Sequence, residues 1–410
     1  MQDVDRRTFL QRAGGGLAAL TLADLALADP PTTDTPVRIG LIGAGRQGRA
    51  ILAELQKLDA CTISTICDSD DRRLRSGLRR AAGAAGEAEY RKVLDDAAID
   101  AVIIATPTHL HRGIVEAALG AGKHVYCEGP MASTIDDCRG IASAARGADV
   151  VFQAGLQGRS NPVYQLARTF FRSDSVRDAV SMRGQHHRKT TWRTPGGSPE
   201  REKAMNWRLD PEVTTGLAGE WGTHQFDVFH WYLDRYPTSV QGRGSIRLHD
   251  DGRTIYDTIA CEFTFSRGEV LQYEATLANS YGGRYEVLHG TNAAIKLGWS
   301  HGWMFKEADA PTQGWEVYAN RQQFHNDEGI TLIADATQLA SQGKLKEGVG
   351  LPHPSLYYSL SDFLSGIIDG KAIPCGADEG MRASIVGILA NQAIVTGTSV
   401  EITDDILRGA

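Results

Sequence analysis

No run of 18 or more uninterrupted apolar residues occurs in the chain, which removes a membrane-spanning helix from consideration. An excess of positive charge is also missing: 43 Lys and Arg face 50 Asp and Glu, for a formal charge of -7. A chain with that balance is a poor generic binder of nucleic-acid backbone or anionic lipid. Cysteine is scarce, six in 410 residues, with no Cys-x-x-Cys pair. Cys61, Cys67, Cys127, Cys138, Cys261 and Cys375 therefore read as small buried apolar side chains, not as a disulfide or zinc framework. His-Glu-x-x-His and comparable spacings are absent, so no metal site is expected. What remains is 42% hydrophobic and 23% charged, an ordinary globular composition long enough for two or three domains.

The first residues read as an address. Arg6-Arg7 precede a moderately apolar stretch from Ala13 to Ala28, which ends in the small-x-small sequence Ala26-Leu27-Ala28. This resembles a twin-arginine export signal over residues 1–28, although Asp5 and Asp24 are unusual in one; a surface helix that happens to carry two arginines is the alternative. Such export carries folded protein, so a periplasmic protein that acquires its cofactor in the cytoplasm is expected, with the twin-arginine export machinery as a partner. After a linker at 29–36, the fold begins at Val37.

Val37–Ile42 is a short β-branched run leading straight into Gly43-Ala44-Gly45-Arg46-Gln47-Gly48, after which Ala50–Leu55 has helical character. This is G-x-G-x-x-G between a strand and a helix. Gly43 serves a tight turn, Gly45 lets backbone approach a pyrophosphate, and Gly48 allows close packing of helix on strand. The helix N-terminus offers unpaired N–H groups and a positive dipole end to the phosphates. Cys61–Cys67 reads as the next strand and ends at Asp68, 20 residues past Gly48, where a carboxylate accepts ribose hydroxyls. An acid there favours NAD; Arg72 and Arg73 leave NADP open. Ala101–Thr106 and His124–Cys127 are further buried strands, followed by Pro107 to His111 and by Glu128-Gly129-Pro130. Ligands bind outside the carboxyl ends of such strands.

These residues, with Asp362-Phe363 and Gly380-Met381-Arg382, resemble the glucose-fructose oxidoreductase and inositol dehydrogenase family, Gfo/Idh/MocA, over nearly all of the chain after the export signal. The resemblance implies an α/β fold: an N-terminal Rossmann dinucleotide-binding domain (37–154) and a C-terminal α/β domain (155–410) with a large open, mostly antiparallel sheet. It also implies NAD or NADP chemistry on a carbohydrate or cyclitol, a homo-oligomer formed through the C-terminal sheet, and a cofactor site of Gly43, Gly45, Arg46, Gln47, Gly48, Asp68, Thr106, Pro107, His111, Glu128 and Gly129. One departure stands out: dehydrogenases of the family carry Glu-Lys-Pro, whose lysine takes part in proton transfer, whereas this chain has Gly129 in that place. NAD-dependent glycosidases of the family, which cleave through transient oxidation, also alter that position.

The family's second motif reads here as Gly219-Glu220-Trp221-Gly222-Thr223-His224-Gln225-Phe226-Asp227. If 217–233 is helical, Glu220, His224 and Asp227 share one face. His224 is the expected proton carrier, since imidazole titrates near neutrality, with Glu220 and Glu128 beside it. Between Arg183 and Arg208 stand seven Lys or Arg and two Glu, together with aromatic side chains. Such a segment suits sugar binding, and Arg159, His187, Trp207, Arg208 and Asp227 are the expected substrate residues; a solvated loop or oligomer contact is the alternative. Strand-like runs at Tyr256–Phe265, Glu269–Leu277, Tyr285–Leu288 and Ala293–Leu297 fit an antiparallel sheet, and helices over Tyr357–Ile368 and Gly380–Ile394 are expected to return to the nucleotide domain. Trp299, Trp303, Phe305 and Trp315 are expected in core or interface. Three functions follow: an NAD(P)-dependent oxidoreductase acting on a secondary hydroxyl, a glycosidase or lyase that recycles bound NAD, and a non-catalytic binder on this scaffold.

Overall fold

Strand β1 (Val37–Ile42) is apolar on both faces because helices cover both sides of the sheet it joins. The structure, a computed structural model, describes residues 30–313, 316, 321–324, 327–332 and 350–408. The export signal expected over 1–28 and Trp315 lie outside the described residues. With β2 (Cys61–Cys67), β3 (Ala85–Glu87), β4 (Ala101–Ile104), β5 (His124–Glu128) and β6 (Phe152–Gly155), β1 forms an all-parallel sheet in the order 3-2-1-4-5-6. The chain direction across the sheet reverses between β1 and β4, and that switch point opens a crevice at their carboxyl ends. Short polar caps start the helices: Asp70 accepts from the Arg73 N–H, and Thr134 from the Asp137 N–H.

The second sheet is built from β7 (Ala179–His187), β8 (Pro237–Ser245), β9 (Thr258–Phe265), β10 (Val270–Thr276), β11 (Arg284–Gly290), β12 (Ala293–Leu297), β13 (Gly302–Lys306), β14 (Arg321–Phe324), β15 (Asp327–Leu332) and β16 (Val400–Glu401). Their order is 14-15-13-12-11-7-10-9-8-16, and every neighbouring pair is antiparallel except β7 with β10. The sequence alternates accordingly: in β9, Ile259, Cys261, Phe263 and Phe265 are buried while the residues between them are not. The inner face packs on the helix Thr223–Leu233, whose Phe226 stands edge-on to Phe263 and Tyr273. The other face carries Arg183, Gln241, Arg243, Glu262 and Glu274, all polar.

The helix Ser355–Asp369 crosses back to the nucleotide domain. Its Ser359 carbonyl accepts from Gln153 Nε2 at 2.8 Å, its Ser359 hydroxyl lies 3.2 Å from Tyr126 Oη, and Phe363 packs edge-on to Tyr126. The next helix, Ala377–Thr396, brings Gly380 so close to Ala154 and Met131 that a Cβ there would lie 2.5 Å from each. The six cysteines are free, and five of them are buried. Among the described residues, no helix is long and apolar enough to cross a membrane.

Candidate active site

A cleft of about 1270 Å³ runs from the carboxyl ends of β1, β2, β4 and β5 to the inner face of the second sheet. That exceeds the usual small-molecule pocket and has room for a dinucleotide beside a sugar. At one end lies the glycine turn. Gly43 has φ +101°, and a Cβ there would press on the Ala105 backbone at 2.6 Å; a Cβ at Gly48 would lie 1.9 Å from the Gly43 carbonyl oxygen. Only glycine satisfies both positions. At Gly45 a Cβ would meet no protein atom within 4 Å, leaving the backbone open to whatever fills the cleft. Asp68, at the end of β2, accepts from the N–H of Ala44 and of Asp70, each at 2.8 Å, which aims its carboxylate along the cleft. Arg46 and Gln47 start the following helix on the same wall. Turn, open backbone, helix N-terminus and strand-end acid together fit an adenine dinucleotide.

At the other end, Glu128 and Gly129 close β5. Glu128 is buried, and its Oε1 accepts from Gln47 Nε2 at 2.9 Å. Burial pushes its carboxyl up to about 7 against that hydrogen bond. The His224 ring reaches Gly129 from the second domain, so close that a Cβ at 129 would lie 3.3 Å from His224 Cε1. The imidazole therefore stands where a side chain at 129 would emerge. Burial and the Arg284 charge push His224 down to about 3, against a hydrogen bond to the Gly129 backbone, so the ring is neutral at pH 7. Beside it on this wall are His186, stacked on Trp221 at 3.9 Å, and Arg284. Burial, then Arg284 and His224, push His186 down to about 2.

The segment after β7 is not structureless. It runs as a strap over the cleft and contains the helix Pro199–Met205 and a turn of 3-10 helix at Trp207–Leu209. Arg201 of that strap pairs with Asp70 at 2.5 Å, tying the second domain to the ribose end of the first, and holds the Asp70 carboxyl down at about 2. Trp192 and Trp207 of the strap and Trp221 line the cleft.

The sequence-derived candidates divide. Gly43, Gly45, Arg46, Gln47, Asp68, Thr106, Pro107, Glu128, Gly129, Trp207, Arg208, Glu220 and His224 all line the one cleft. Glu220, His224 and Asp227 do not share a free face. Ala218–Gly222 forms a π-helical turn, and Glu220 there is claimed by Arg208 Nε at 2.8 Å and by the hydroxyls of Thr108 and Thr215 at 3.2 and 3.1 Å. Glu220 thus fixes the strap instead of offering a free base. Arg159 and Asp227 are corrected: they form a buried bidentate pair, Arg159 Nη2 to Asp227 Oδ1 at 2.8 Å, outside the cleft lining. His187 is corrected as well, since side chains alternate along a strand: it turns toward Glu274, and its neighbour His186 enters the cleft. His111 lines the same cleft and is 1% exposed, its ring nitrogens 3.2 and 3.0 Å from the carbonyl oxygens of Met131 and Thr106, so it pins two strand-end loops at the cleft wall. Arg72 is not on the cleft wall, whereas Arg73 is. Arg284 and the Arg201–Asp70 tie were not foreseen. The signal for Arg284 was a charge on the inward side of the β11 alternation, shared with buried Glu286 and Leu288.

Comparison with known proteins gives a consistent picture. A levoglucosan dehydrogenase of Pseudarthrobacter phenanthrenivorans is 24% identical over 291 residues, 63% of this chain and 73% of that one. A myo-inositol 2-dehydrogenase of Thermotoga maritima is 22% identical over 90% of this chain and all of its own. A glycosyl hydrolase family 109 protein of Shewanella is 30% identical over 171 residues, 35% of this chain and 38% of that one. In fold, a levoglucosan dehydrogenase in complex with NADH and levoglucosan matches with TM-score 0.71 at 22% identity, covering 90% of this chain and all of that one. Residues 37–156 match the oxidoreductase family's NAD-binding Rossmann fold, and residues 188–402 match its C-terminal alpha/beta domain. With both halves matched on either side of one cleft, the chain belongs to the Gfo/Idh/MocA family of NAD-binding oxidoreductases.

Proposed function

We propose that this chain oxidises a secondary hydroxyl of a sugar, glycoside or cyclitol with NAD, and that His224 takes the hydroxyl proton in place of the family lysine. The observation that carries this reading is the neutral His224 imidazole in the space in front of Gly129, at the strand end facing the second domain. Bound NAD supplies the hydride acceptor. The glycine turn and Asp68 fix the dinucleotide's position, and Trp192, Trp207 and Trp221 shield the reacting end from water. His224 accepts the proton at a ring nitrogen, and Glu128, whose carboxyl changes state near pH 7, suits an exchange with solvent at neutral pH. The sugar and cyclitol dehydrogenases among the relatives support the substrate class. Purified protein supplied with NAD and a panel of sugars and cyclitols is expected to generate NADH. His224→Ala is expected to slow turnover about 10²- to 10⁴-fold with NAD affinity retained. Unchanged turnover in that variant would retire His224 as the proton carrier.

A second reading is favoured by Gly129 together with the Shewanella glycosyl hydrolase relative: bond cleavage with NAD recycled inside one turnover. Release of nitrophenol from nitrophenyl glycosides without net NADH would select it. We also propose export through the twin-arginine route, tested by whether Arg6→Lys with Arg7→Lys keeps the protein out of the periplasmic fraction. A homo-oligomer formed through the polar outer face of the second sheet is proposed too, and light scattering of the purified protein tests it.

A further inference from the structure

Arg284 lines the reacting end of the cleft, with its guanidinium carbon 3.0 Å from the centre of the Trp299 ring. Its Nε and Nη2 are shut off from solvent and find no acceptor among the described residues. The carboxylate two positions along β11, Glu286, acts on Arg284 through its charge but makes its hydrogen bonds elsewhere: it accepts from Tyr164 Oη at 2.5 Å and from Trp299 Nε1 at 3.2 Å. Across the ladder Arg284 faces His186, which carries no negative charge. Two buried guanidinium nitrogens without acceptors, on a side chain that is only partly buried, are a costly arrangement for a fold to retain. Arg188, more exposed on the same wall, likewise has no carboxylate partner among the described residues. The cofactor's phosphates belong at the glycine turn and Arg46; the charge of Arg188 is felt at both Arg46 and His186, so Arg188 can serve the phosphates as well, and Arg284 is the group left without a hydrogen-bond acceptor among the described residues.

Resting on the dehydrogenase reading above, we infer that the substrate is an acidic sugar whose carboxylate pairs with Arg284, and with Arg188 beside it, while the hydroxyl to be oxidised lies against His224. A planar carboxylate matches a guanidinium in shape and charge. The pairing also serves the chemistry. Arg284 is one of the two influences that hold His224 far below its ordinary range, so a carboxylate that offsets the arginine charge returns basicity to the imidazole. An acidic substrate would in this way switch on its own proton acceptor, and a neutral sugar would not.

The test is calorimetry on the NAD-loaded protein with glucuronate, galacturonate and their neutral parents glucose and galactose, run on wild type, Arg284→Gln and Arg188→Gln. At least one acid is expected to bind wild type about 10- to 100-fold tighter than its parent sugar. That ratio is expected to fall to near one in Arg284→Gln, with NAD affinity unchanged, and by a smaller factor in Arg188→Gln. Failure of both acids to bind, equal binding of acid and parent, or a preference that survives Arg284→Gln overturns the inference. Should Arg284→Gln lose NAD binding and so its fold, the wild-type ratio and its loss in Arg188→Gln decide. NADH formed from neutral sugars with no acid preference would leave the dehydrogenase reading standing and remove this one. Acid binding without NADH would remove the dehydrogenase reading and leave only the pairing of a carboxylate with Arg284.

Discussion

Restoring a lysine at position 129 does not restore a working family site, because the imidazole of His224 already fills the lysine's way out. A Cβ at 129 would lie 2.8 Å from Leu156 Cδ2 and 3.3 Å from His224 Cε1. Leu156 can swing a methyl aside, but the ring stands against Gly129 from the helix Thr223–Leu233. Overpacking of this kind costs about 1–3 kcal/mol, and the new ammonium would also be buried near the Arg284 charge. Gly129→Lys alone is therefore expected to lower both stability and turnover. Combined with His224→Ala, which clears the ring, the loss of stability is expected to fall short of the two separate losses by about 0.5–3 kcal/mol. The double variant is also expected to turn over faster than His224→Ala alone. Urea unfolding of the four proteins gives the coupling, and NADH formation gives the rates. Additive stabilities, or a Gly129→Lys protein as stable and active as wild type, would mean that His224 does not occupy the lysine's space, and the account of proton transfer would fall with it.

Three further outcomes are expected. Asp227→Asn leaves the Arg159 guanidinium buried and unpaired, so it should cost about 3–5 kcal/mol in urea unfolding while leaving NAD affinity of the folded protein unchanged; a loss of sugar affinity with stability intact would return the pair to the binding site. Glu128 holds its proton up to about 7 in the fold but only to about 4.5 when unfolded, so its contribution to stability is full below about 4.5 and is lost as pH rises through about 7. Glu128→Gln should accordingly flatten the fall in unfolding midpoint between about pH 5 and 8, and an unchanged slope would refute the assignment. Arg201→Ala cuts the tie to Asp70 and should speed NAD release about two- to fivefold in stopped-flow experiments, whereas an unchanged release rate would show that the strap does not retain the cofactor.

The nucleotide half of the molecule was legible in the sequence because its geometry can be met by few residue types. Gly43 and Gly48 stand where any Cβ collides with backbone, and the apolar runs Val37–Ile42 and Cys61–Cys67 coincide with β1 and β2. The site in the second domain was less so. Arg159 and Asp227 are 68 residues apart in the chain, and nothing local says that each neutralises the other. His186 and His187 differ only in parity along β7, and one step of register decides which enters the cleft. Ser198-Pro199-Glu200 was a readable helix start, a capping hydroxyl before a proline and an acid, set among basic residues. Arg284 was hidden because strand patterning treats an inward charge as an anomaly, and only the fold shows that it faces the cleft.

The contacts that the helix Ser355–Asp369 makes with Tyr126 and Gln153 bear on how the polypeptide matures during synthesis. The six-stranded sheet has all its strands in hand by Gly155, yet part of its apolar covering comes from Leu356, Leu360, Phe363 and Leu364, about two hundred residues later. A nascent chain on the ribosome thus exposes that face until the helix Ser355–Asp369 has emerged. Truncation before position 355 is expected to leave a sticky, coenzyme-poor fragment, not a free-standing nucleotide domain.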